Sequence, residues 1–494
     1  MSLANCQVDE KKVHNLLFKP FKSGFLITNS FGNYHFLNRE EFASFVQGDT
    51  SVLAKEKIDG LREQGFLRDS LDFSALTKKY LSRKSFLFQG PSLHIMVVTH
   101  RCNHKCLYCQ TNSKPATESL SDMQKQVSDK VIDFIFESPN KNIAIEFQGG
   151  EPLLNFDTIK HAVSYAKKKN EIAGRNLLIV LVTNMSRMDK DKLKYLLENN
   201  IGICTSLDGP EALHNKYRLF GQGNSYNEAV KWIKVVHEEI NSGRYHGYKH
   251  RLEALTTVTR DSLLQPKEII DTYLDNGFKG IDLRPVQPFG VAEGQAWQGI
   301  SFTAEEFMGF YKSALDYIIK LNSEGKFFYE RRALIFLTKI LTDTDPNFLD
   351  LRSPCGAGIG QMAYDTNGDI YTCDEGRMFA ALNPADFSFR LGNVSQDPYS
   401  SIMKSSKIEA MCLASCLDNL PHCSSCVYKP YCGVCPLYNY AEQKDLFMKY
   451  RNQRCSINEQ ILDYLFSLLR KKANMAIFKN WIEGFHYKQG EVGV

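Results

Sequence analysis

Short apolar runs alternate with amphipathic stretches through the middle of the chain. The runs cover residues 93–98, 143–147, 177–182, 201–206, 252–258 and 280–285. Each run has the length of a buried strand, and the stretches between them are long enough for helices. The alternation predicts six β/α units whose parallel sheet curls into a partial barrel. Helical patterns over 304–321 and 457–469 follow this region.

The start of the chain has a different pattern. Residues 24–28 and 34–37 alternate like strands around a turn signal at 29–33, and helical periodicity begins at Arg39. This pattern predicts a small separate domain. We therefore expect an α/β protein with four segments: an N-terminal domain (1–88), the barrel (89–330), a Cys-rich domain (331–475) and a C-terminal tail (476–494).

Composition narrows the class of protein. Hydrophobic residues make up 43% and charged residues 23% of the chain, as in soluble globular proteins. The net charge is only +4 and basic runs are short, so we expect no nucleic-acid partner. Residues 1–10 lack the apolar core of a signal peptide and no run has membrane-spanning length, so we expect a cytoplasmic protein without a membrane partner. Reduced cytosolic cysteines, of which the chain has 14, more often serve metals or catalysis than disulfides.

Three of these cysteines follow the first predicted barrel strand. Cys102, Cys106 and Cys109 are spaced so that one loop can wrap three corners of an iron-sulfur cube, which leaves the fourth iron without a protein ligand. Loops after the carboxyl ends of strands carry the reactive groups in barrels of this type. An alternative is a closed zinc site completed by His104.

With Tyr108 before the third cysteine, this spacing resembles the signature of the radical S-adenosylmethionine (SAM) superfamily. The resemblance implies a 4Fe-4S cluster whose open iron chelates SAM, which electron transfer cleaves to a 5'-deoxyadenosyl radical. Residues 149–152 look like the family's GGEP motif, and Ser206 and Arg218 match residues that hold the ribose and the carboxylate of SAM. Leu255 matches a leucine that packs on the adenine, although it could simply be strand core. The cofactor-binding residues implied are Tyr108, Gly149, Gly150, Glu151, Asn184, Ser206, Arg218 and Leu255.

A second series of cysteines lies toward the C-terminus. It resembles the SPASM domain of peptide-maturing radical SAM enzymes, with its two auxiliary 4Fe-4S clusters. The resemblance assigns Cys423, Cys426, Cys432 and Cys455 to an outer cluster, and Cys355, Cys373 and Cys435 to an inner one. Two structural zinc sites are the alternative.

Two features depart from the SPASM pattern. Two residues, rather than three, separate Cys432 from Cys435. The upstream cysteine that completes the inner cluster of sulfatase maturases is missing, since Leu349 occupies that place. Cys412 or Cys416 could supply the fourth ligand, or the position could stay open for a substrate group.

Asp374 directly follows Cys373, as does the catalytic aspartate of sulfatase maturases. The resemblance implies that it is a base that takes a proton from the substrate, which requires a carboxylate within reach of that proton. Asp374 could instead be a solvated loop acid or the ion-pair partner of Arg377.

The N-terminal segment looks like the winged-helix element with which peptide maturases grip a precursor, usually by adding a strand to a sheet edge. A structural cap is the alternative. The whole chain looks most like the radical SAM maturase of the His-Xaa-Ser repeat peptide system. That implies a ribosomally synthesised precursor peptide as substrate, flavodoxin or ferredoxin as electron donor, and a second radical SAM maturase as a further partner. The competing functions are sulfatase activation through formylglycine and a non-catalytic iron-sulfur scaffold that binds peptides.

Overall fold

A computed structural model describes residues 8–111, 113–290, 295–346, 349–384 and 386–484, without the side chains of residues 295 and 296. The chain divides into two compact units. The first comprises Met1–Phe88, Ile335–Cys355 and Leu413–Asn452, and the second comprises Gln89–Leu334, Gly356–Cys412 and Gln453–Val494. Residues 331–475, which we expected as one domain, are therefore shared between the two units.

The N-terminal part of the first unit is a three-stranded antiparallel sheet followed by helices. Its elements are β1 (Leu17–Phe21), β2 (Gly24–Thr28), β3 (Tyr34–Asn38), α1 (Arg39–Val46), α2 (Lys55–Glu63) and α3 (Phe73–Lys84), with the sheet order β1-β2-β3. Asn38 begins α1 with a capping box: its side chain accepts from the Glu41 N–H at 2.9 Å, and Glu41 accepts from the Asn38 N–H at 2.8 Å. Buried apolar side chains such as Phe45, Leu61 and Phe66 form the core between sheet and helices. The two predicted strands and the helix start are confirmed.

The second unit contains the predicted barrel. Its strands are β4 (Leu93–Thr99), β5 (Arg101–Cys102), β6 (His104–Cys106), β7 (Lys114–Pro115), β8 (Asn142–Gly149), β9 (Asn176–Val182), β10 (Ile201–Ser206), β11 (Arg218–Phe220), β12 (Glu253–Val258), β13 (Gly280–Ile281) and β14 (Leu283–Pro285). Its helices are α4 (Lys125–Phe136), α5 (Phe156–Ala173), α6 (Lys190–Glu198), α7 (Glu211–Tyr217), α8 (Ser225–Asn241), α9 (Pro266–Asp275), α10 (Gln295–Ile300) and α11 (Ala304–Ser323).

The barrel strands pair in parallel in the order β14-β12-β10-β9-β8-β4. All six apolar runs of the sequence are found in these strands, so the prediction of six β/α units is confirmed. Because the strands are parallel, their carboxyl ends share one edge of the sheet, and the loops that follow them lie together there.

The remaining elements follow the barrel in the chain. They are β15 (Tyr329–Glu330), α12 (Arg331–Leu341), β16 (Gln361–Tyr364), β17 (Asp369–Tyr371), α13 (Asp374–Leu382), β18 (Arg390–Asn393), α14 (Tyr399–Ile402), α15 (Ser406–Ser415), α16 (Pro421–Ser424), α17 (Pro436–Gln443), α18 (Gln453–Leu469) and α19 (Lys472–Gly484).

Part of the Cys-rich segment extends the barrel sheet. β16 pairs in parallel with β4, and β17 and β18 continue antiparallel, so that the sheet has nine strands within the described part of the chain. Gly368 lies in the turn between β16 and β17 with a φ of +84°. A left-handed conformation favours glycine, which accounts for the residue at this turn.

The C-terminal helix α19 crosses residue 476, where we expected a tail to begin, and buries Phe478 and Trp481. Residues 485–494 of that expected tail, and residues 1–7 at the other end, lie outside the described residues. Within the described ranges, no helix combines the length and the apolar character needed to cross a membrane.

Candidate active site

The three cysteines of the first motif lie on the loop that leaves β4. Cys102 ends β5, Cys106 ends β6, and Cys109 closes a turn by donating its N–H to the Cys106 carbonyl at 3.1 Å. β6 pairs antiparallel with β11, which puts Cys106 opposite Arg218. Backbone pairing therefore connects the cysteine loop to the segment that carries the predicted carboxylate-binding arginine.

The sulfur atoms have local polar contacts. The His104 N–H donates to Cys102 Sγ at 3.4 Å, and the Thr111 hydroxyl lies 3.2 Å from Cys109 Sγ. Burial raises the pKa of Cys102, and it raises that of Cys106 to about 12. The metal-free thiols are therefore protonated at neutral pH, and binding of iron would release those protons. Among the described residues, no three His, Cys, Asp or Glu side chains converge as ligands of a single metal ion.

His104, the residue that could have completed a zinc site, is used elsewhere. Its Nε2 lies 2.9 Å from Ser225 Oγ, and its Nδ1 accepts from the Asn184 amide at 3.0 Å. The ring stacks on Phe220 with centroids 4.6 Å apart, and burial lowers its pKa to about 4. Both ring nitrogens are thus in hydrogen bonds within the chain, which does not fit the zinc alternative.

The two glycines of the GGEP motif lie where the loop after β8 meets the cysteine loop. A Cβ atom on Gly149 would lie 2.3 Å from the Thr99 carbonyl oxygen, and one on Gly150 would lie 2.2 Å from the Arg101 carbonyl oxygen. Gly150 donates its N–H to Thr99 at 2.9 Å. A side chain at either position would collide with these carbonyl oxygens, so only glycine lets the two loop backbones lie this close together. The polar groups of both backbones therefore remain at the edge of the sheet.

Glu151 of the same motif is fully buried. Its carboxylate accepts hydrogen bonds from the Leu153 N–H at 3.0 Å, the Thr183 hydroxyl at 2.7 Å and the Asn184 N–H at 2.8 Å. Burial raises the pKa of Glu151, although these hydrogen bonds oppose the increase. Glu151 therefore holds Thr183 and Asn184, the two residues that follow β9, in place. Its predicted contact with the cofactor stays a prediction.

Asp208, a residue with no predicted role, connects several of the predicted site residues. This buried carboxylate accepts from Arg218 Nε at 2.8 Å and Nη2 at 3.2 Å, from the Tyr108 hydroxyl, and from the Thr257 N–H at 3.1 Å. Burial alone would raise the pKa of Asp208, but the Arg218 guanidinium outweighs that effect and the pKa is lowered. A sequence feature that could have pointed to Asp208 is its position two residues after the end of β10.

A cavity of about 250 Å³ lies at this edge of the barrel. Of the predicted residues, it is lined by Cys102, Cys106, Tyr108, Cys109, Gly149, Gly150, Asn184, Ser206, Arg218 and Leu255. Residues that the sequence analysis did not single out also line it: Gln148, Thr257, Arg284, Gln287 and Met378. The cavity combines three thiols, two arginine cations, backbone polar groups and an apolar wall. Such a set fits an iron-sulfur cluster that holds an amino acid-nucleoside cofactor.

Asp374 begins α13 and is 5% exposed. The Arg377 guanidinium, itself buried, donates to its carboxylate through Nε at 2.8 Å. Asp374 is therefore an ion-pair partner of Arg377, and the alternative of a solvated loop acid is wrong. Met378, which lines the cavity, is four residues after Asp374, so both lie on one face of α13.

The remaining predicted metal ligands are distributed over both units. Cys355, Cys423, Cys426, Cys432 and Cys435 belong to the first unit, and Cys373 and Cys455 belong to the second. Cys373 caps α13 with its sulfur, which accepts the Gly376 N–H at 3.3 Å, and Cys435 caps α17 by accepting the Tyr438 N–H at 3.4 Å. Sulfur atoms that accept backbone N–H bonds fit ligands of an iron-sulfur cluster, since such bonds stabilise thiolate charge.

Comparison with known proteins agrees with this site. Residues 96–281 match the Radical SAM superfamily. The structure resembles that of native anSMEcpe with bound AdoMet, with a TM-score of 0.64 and 20% identity over 78% of this chain and 99% of the other. The barrel has the radical SAM fold. A second similar structure is Streptococcus suis SuiB bound to precursor peptide SuiA, with a TM-score of 0.52 and 17% identity over 91% and 99% of the two chains.

Relatives of this chain include a sulfatase-maturating enzyme and a bacteriocin biosynthesis protein. The cysteine-type anaerobic sulfatase-maturating enzyme of Clostridium novyi is 23% identical, covering 69% of this chain and 86% of the relative. The antilisterial bacteriocin subtilosin biosynthesis protein AlbA of Bacillus subtilis is 26% identical, covering 74% and 71%. The superfamily binds SAM and a 4Fe-4S cluster. Of these two relatives, one is a sulfatase-maturating enzyme and the other a subtilosin biosynthesis protein.

Proposed function

We propose that this protein is a radical SAM maturase that modifies a ribosomally synthesised precursor peptide of the His-Xaa-Ser repeat type. The observation that carries the proposal is the cavity in which the cysteine triad, the paired glycines, Ser206, Arg218 and Leu255 line one space. These groups come from loops or ends of different strands, as expected of a site at the carboxyl edge of a parallel barrel.

The triad of Cys102, Cys106 and Cys109 would hold the 4Fe-4S cluster at which SAM binds. When bound, the cluster and SAM supply a 5'-deoxyadenosyl radical that abstracts a hydrogen atom from the substrate. The protein supplies binding, orientation and the exclusion of water around that chemistry.

The chain's own residues account for orientation of the cofactor. The Asp208 carboxylate fixes the Arg218 guanidinium through two of its nitrogens, so the cation is presented to a carboxylate group with little rotational freedom. Ser206 offers a hydroxyl suited to the ribose, and Leu255 offers an apolar side chain beside the adenine. Tyr108, held by its own hydrogen bond to Asp208, gives the same wall a fixed aromatic ring.

We assign Asp374 the role of the base that accepts a proton from the substrate. Its position supports this role, because it lies on the face of α13 that brings Met378 to the cavity. The hydrogen bond from Arg377 orients one carboxylate oxygen and keeps the group in place. The other oxygen can still accept a proton, as general-base catalysis requires.

Two auxiliary 4Fe-4S clusters complete the proposal. Cys423, Cys426, Cys432 and Cys455 would bind the outer cluster, and Cys355, Cys373 and Cys435 would contribute to the inner one. The N–H hydrogen bonds to the sulfurs of Cys373 and Cys435 support cluster ligation. Electrons would be exchanged with flavodoxin or ferredoxin, and a second maturase of the same system would act on the same peptide.

The N-terminal sheet and helices are the proposed binding site for the precursor, in a winged-helix-like arrangement. The similarity to SuiB, a structure with a bound precursor peptide, extends over 91% of this chain, whereas the similarity to anSMEcpe covers 78%. Sulfatase activation remains the second candidate, because sulfatase-maturating enzymes are among the relatives.

The test uses anaerobically reconstituted full-length protein with SAM and a reductant. One reaction contains a His-Xaa-Ser repeat precursor, and a parallel one contains a sulfatase-derived peptide with the cysteine or serine target. Mass spectrometry measures peptide modification, and chromatography measures 5'-deoxyadenosine. We expect a mass change in the repeat peptide alone. Formylglycine in the sulfatase peptide would instead support the second candidate, and absence of SAM cleavage would support a non-catalytic scaffold.

A further inference from the structure

We propose that Ser225 is a positioning residue of the SAM site: its hydroxyl oxygen accepts an N–H bond from each of two histidines, and these histidines hold groups that are predicted to bind SAM. This inference rests on the proposed function, which assigns Asn184 and Arg218 to the cofactor. Ser225 is the first residue of α8, is 4% exposed, and is absent from the described residues that line the cavity. Any influence of Ser225 on SAM must therefore pass through its neighbours.

The Ser225 oxygen lies between His104 of β6 and His214 of α7. It is 2.9 Å from Nε2 of His104 and 3.0 Å from Nε2 of His214, and all three residues are buried. A hydroxyl has one proton, so it can donate to at most one of the two ring nitrogens, and the other nitrogen must then carry a proton of its own. The positions of the protons depend on the partners of the two Nδ1 atoms.

The Asn184 side chain fixes the proton of His104. The Ser186 N–H donates to Oδ1 of Asn184 at 2.9 Å, which identifies the other end of the amide as the nitrogen. This nitrogen can only donate, and it lies 3.0 Å from Nδ1 of His104 and 3.2 Å from Oδ1 of Asn103. The Asn103 oxygen is itself 3.3 Å from Nδ1, but a proton on Nδ1 would put two donors in contact at 3.0 Å. Nδ1 of His104 therefore accepts, and the ring proton is on Nε2.

A backbone N–H fixes the proton of His214 in the same way. The Asp208 N–H donates to Nδ1 of His214 at 3.3 Å, and a backbone N–H cannot accept. The ring proton of His214 is therefore also on Nε2. A neutral ring agrees with burial, which lowers the pKa of His214 to about 3. Both histidines thus donate to Ser225, whose oxygen has one lone pair for each of them.

The two histidines connect Ser225 to different parts of the cofactor site. His104 bonds to Asn184, which lines the cavity. His214 bonds to Asp208, whose carboxylate holds the arginine that is predicted to bind the carboxylate of SAM. Loss of the serine oxygen would leave two buried N–H groups without an acceptor, so both rings would be free to shift. One hydroxyl thus fixes two predicted SAM contacts that follow different strands of the barrel.

Ser128 provides the matched control. Like Ser225 it is a buried serine on a barrel helix, here α4, but its hydroxyl has no hydrogen-bond partner among the described residues. Ser225→Ala, Ser225→Thr, His214→Gln and Ser128→Ala are made in the full chain and reconstituted anaerobically. Calorimetry measures the dissociation constant of SAM, and 5'-deoxyadenosine formation gives KM and kcat. Iron and sulfide analysis and circular dichroism compare cluster content and fold.

We expect Ser225→Ala to bind SAM about ten-fold to a hundred-fold more weakly, the usual effect of removing a group that orients a ligand-binding residue. KM for SAM should rise accordingly, while kcat at saturating SAM and the cluster content stay at the level of the parent. Ser225→Thr keeps the oxygen and should bind SAM like the parent, as should Ser128→Ala. His214→Gln removes the acceptor of the Asp208 N–H and should weaken SAM binding.

A double-mutant cycle with Asn184→Ala distinguishes positioning from a general structural role. Since part of the network ends at Asn184, Ser225→Ala should weaken SAM binding by a smaller factor in the Asn184→Ala background than in the parent. Equal factors in the two backgrounds would overturn the inference, as would equal losses of affinity in Ser225→Thr and Ser225→Ala.

The remaining outcomes separate this inference from the proposed function. Parent-like SAM binding by Ser225→Ala would overturn the inference and leave the proposed function intact. A reconstituted parent protein that does not bind SAM would overturn both. If circular dichroism shows that Ser225→Ala is misfolded, His214→Gln decides: parent-like SAM binding by that variant overturns the inference.

Discussion

The cysteine loop after β4 and the Cys-rich C-terminal segment both carry predicted cluster ligands, but their structures differ in kind. The first is assembled within one unit, where six residues separate the first and last cysteines and β6 pairs directly with β11. The second extends over a hundred residues of sequence, and its cysteines are divided between two units. A ligand set encoded in one loop can be recognised from its spacing. A set encoded by distant segments depends on tertiary contacts that spacing does not express.

The largest expected effect comes from removing the cysteine loop after β4. This change tests whether the cluster of that loop assembles independently of the clusters in the Cys-rich segment. Replacing Cys102, Cys106 and Cys109 by alanine should abolish 5'-deoxyadenosine formation, because this loop alone is expected to hold the SAM-binding cluster. One of three clusters should disappear from the iron and sulfide analysis while two remain. Cys204→Ala is the control, since Cys204 is buried in strand β10 and belongs to neither predicted cysteine series. If the triple variant lost all of its iron, the auxiliary clusters would depend on the cysteine loop, and the prediction would be wrong.

The second prediction separates radical generation from peptide chemistry. Asp374→Asn should still cleave SAM, because it leaves the cysteine loop unchanged, but peptide product should fall by about a hundred-fold to ten-thousand-fold, the usual contribution of one positioned base. Quantitative mass spectrometry of the peptide alongside 5'-deoxyadenosine measures both. Glu375→Gln, one residue further along α13, is the control. Unchanged product from Asp374→Asn would end the assignment of the base.

The third prediction concerns the buried connection at Asp208 in the first region. Asp208→Asn leaves the Arg218 cation buried without its partner charge, which typically lowers the free energy of unfolding by about 3–5 kcal/mol. SAM affinity, measured by calorimetry on the reconstituted protein, should fall as well, because Tyr108 and Arg218 lose their common anchor.

Asp261→Asn provides the matched control for Asp208. Asp261 pairs with Lys216 at a partly exposed site, where an ion pair contributes only about 0–1 kcal/mol. Equal destabilisation by the two variants would show that Asp208 has no special role in the site.

The last and smallest effect is a pH dependence at the paired strands β4 and β16. β4 precedes the cysteine loop, β16 lies in the Cys-rich segment, and the two strands pair in parallel. His94 is fully buried with Nδ1 2.9 Å from the Tyr364 hydroxyl, and burial lowers its pKa to about 3. An unfolded histidine titrates near 6.5, so below that pH the unfolded state binds the extra proton. The free energy of unfolding should therefore fall with decreasing pH, by at most about 1.4 kcal/mol per unit from this group.

This dependence can be measured by denaturant unfolding at pH 7.5 and 5.5 for the parent protein and for His94→Gln. The difference in unfolding free energy between them should shrink as the pH falls, because only the parent carries the histidine penalty. His161→Gln, at a partly exposed position paired with Asp129, is the control. Parallel pH curves for parent and His94→Gln would contradict the prediction.

Local patterns were sufficient for the parts of this protein whose determinants are close in sequence. The six apolar runs became the parallel barrel strands, because each run had the length and composition of a buried strand. The start of α1 was predicted from the helical periodicity that begins at Arg39, and in the structure Asn38 and Glu41 cap the helix there. The triad of Cys102, Cys106 and Cys109 was recognisable for the same reason, since one loop contains all three.

Only the tertiary structure showed what distant residues do together. Asp208 joins Tyr108 and Arg218 although a hundred residues separate it from the tyrosine, and no spacing rule connects those positions. The four residues of β16 carry too little periodicity to predict that they pair with β4. Such pairings depend on which surfaces the folded barrel leaves available and on the entropy of closing long loops, and neither is expressed in a local pattern. The sequence by itself determined the strands and the cysteine loop, whereas packing decided how the other site residues are held around them.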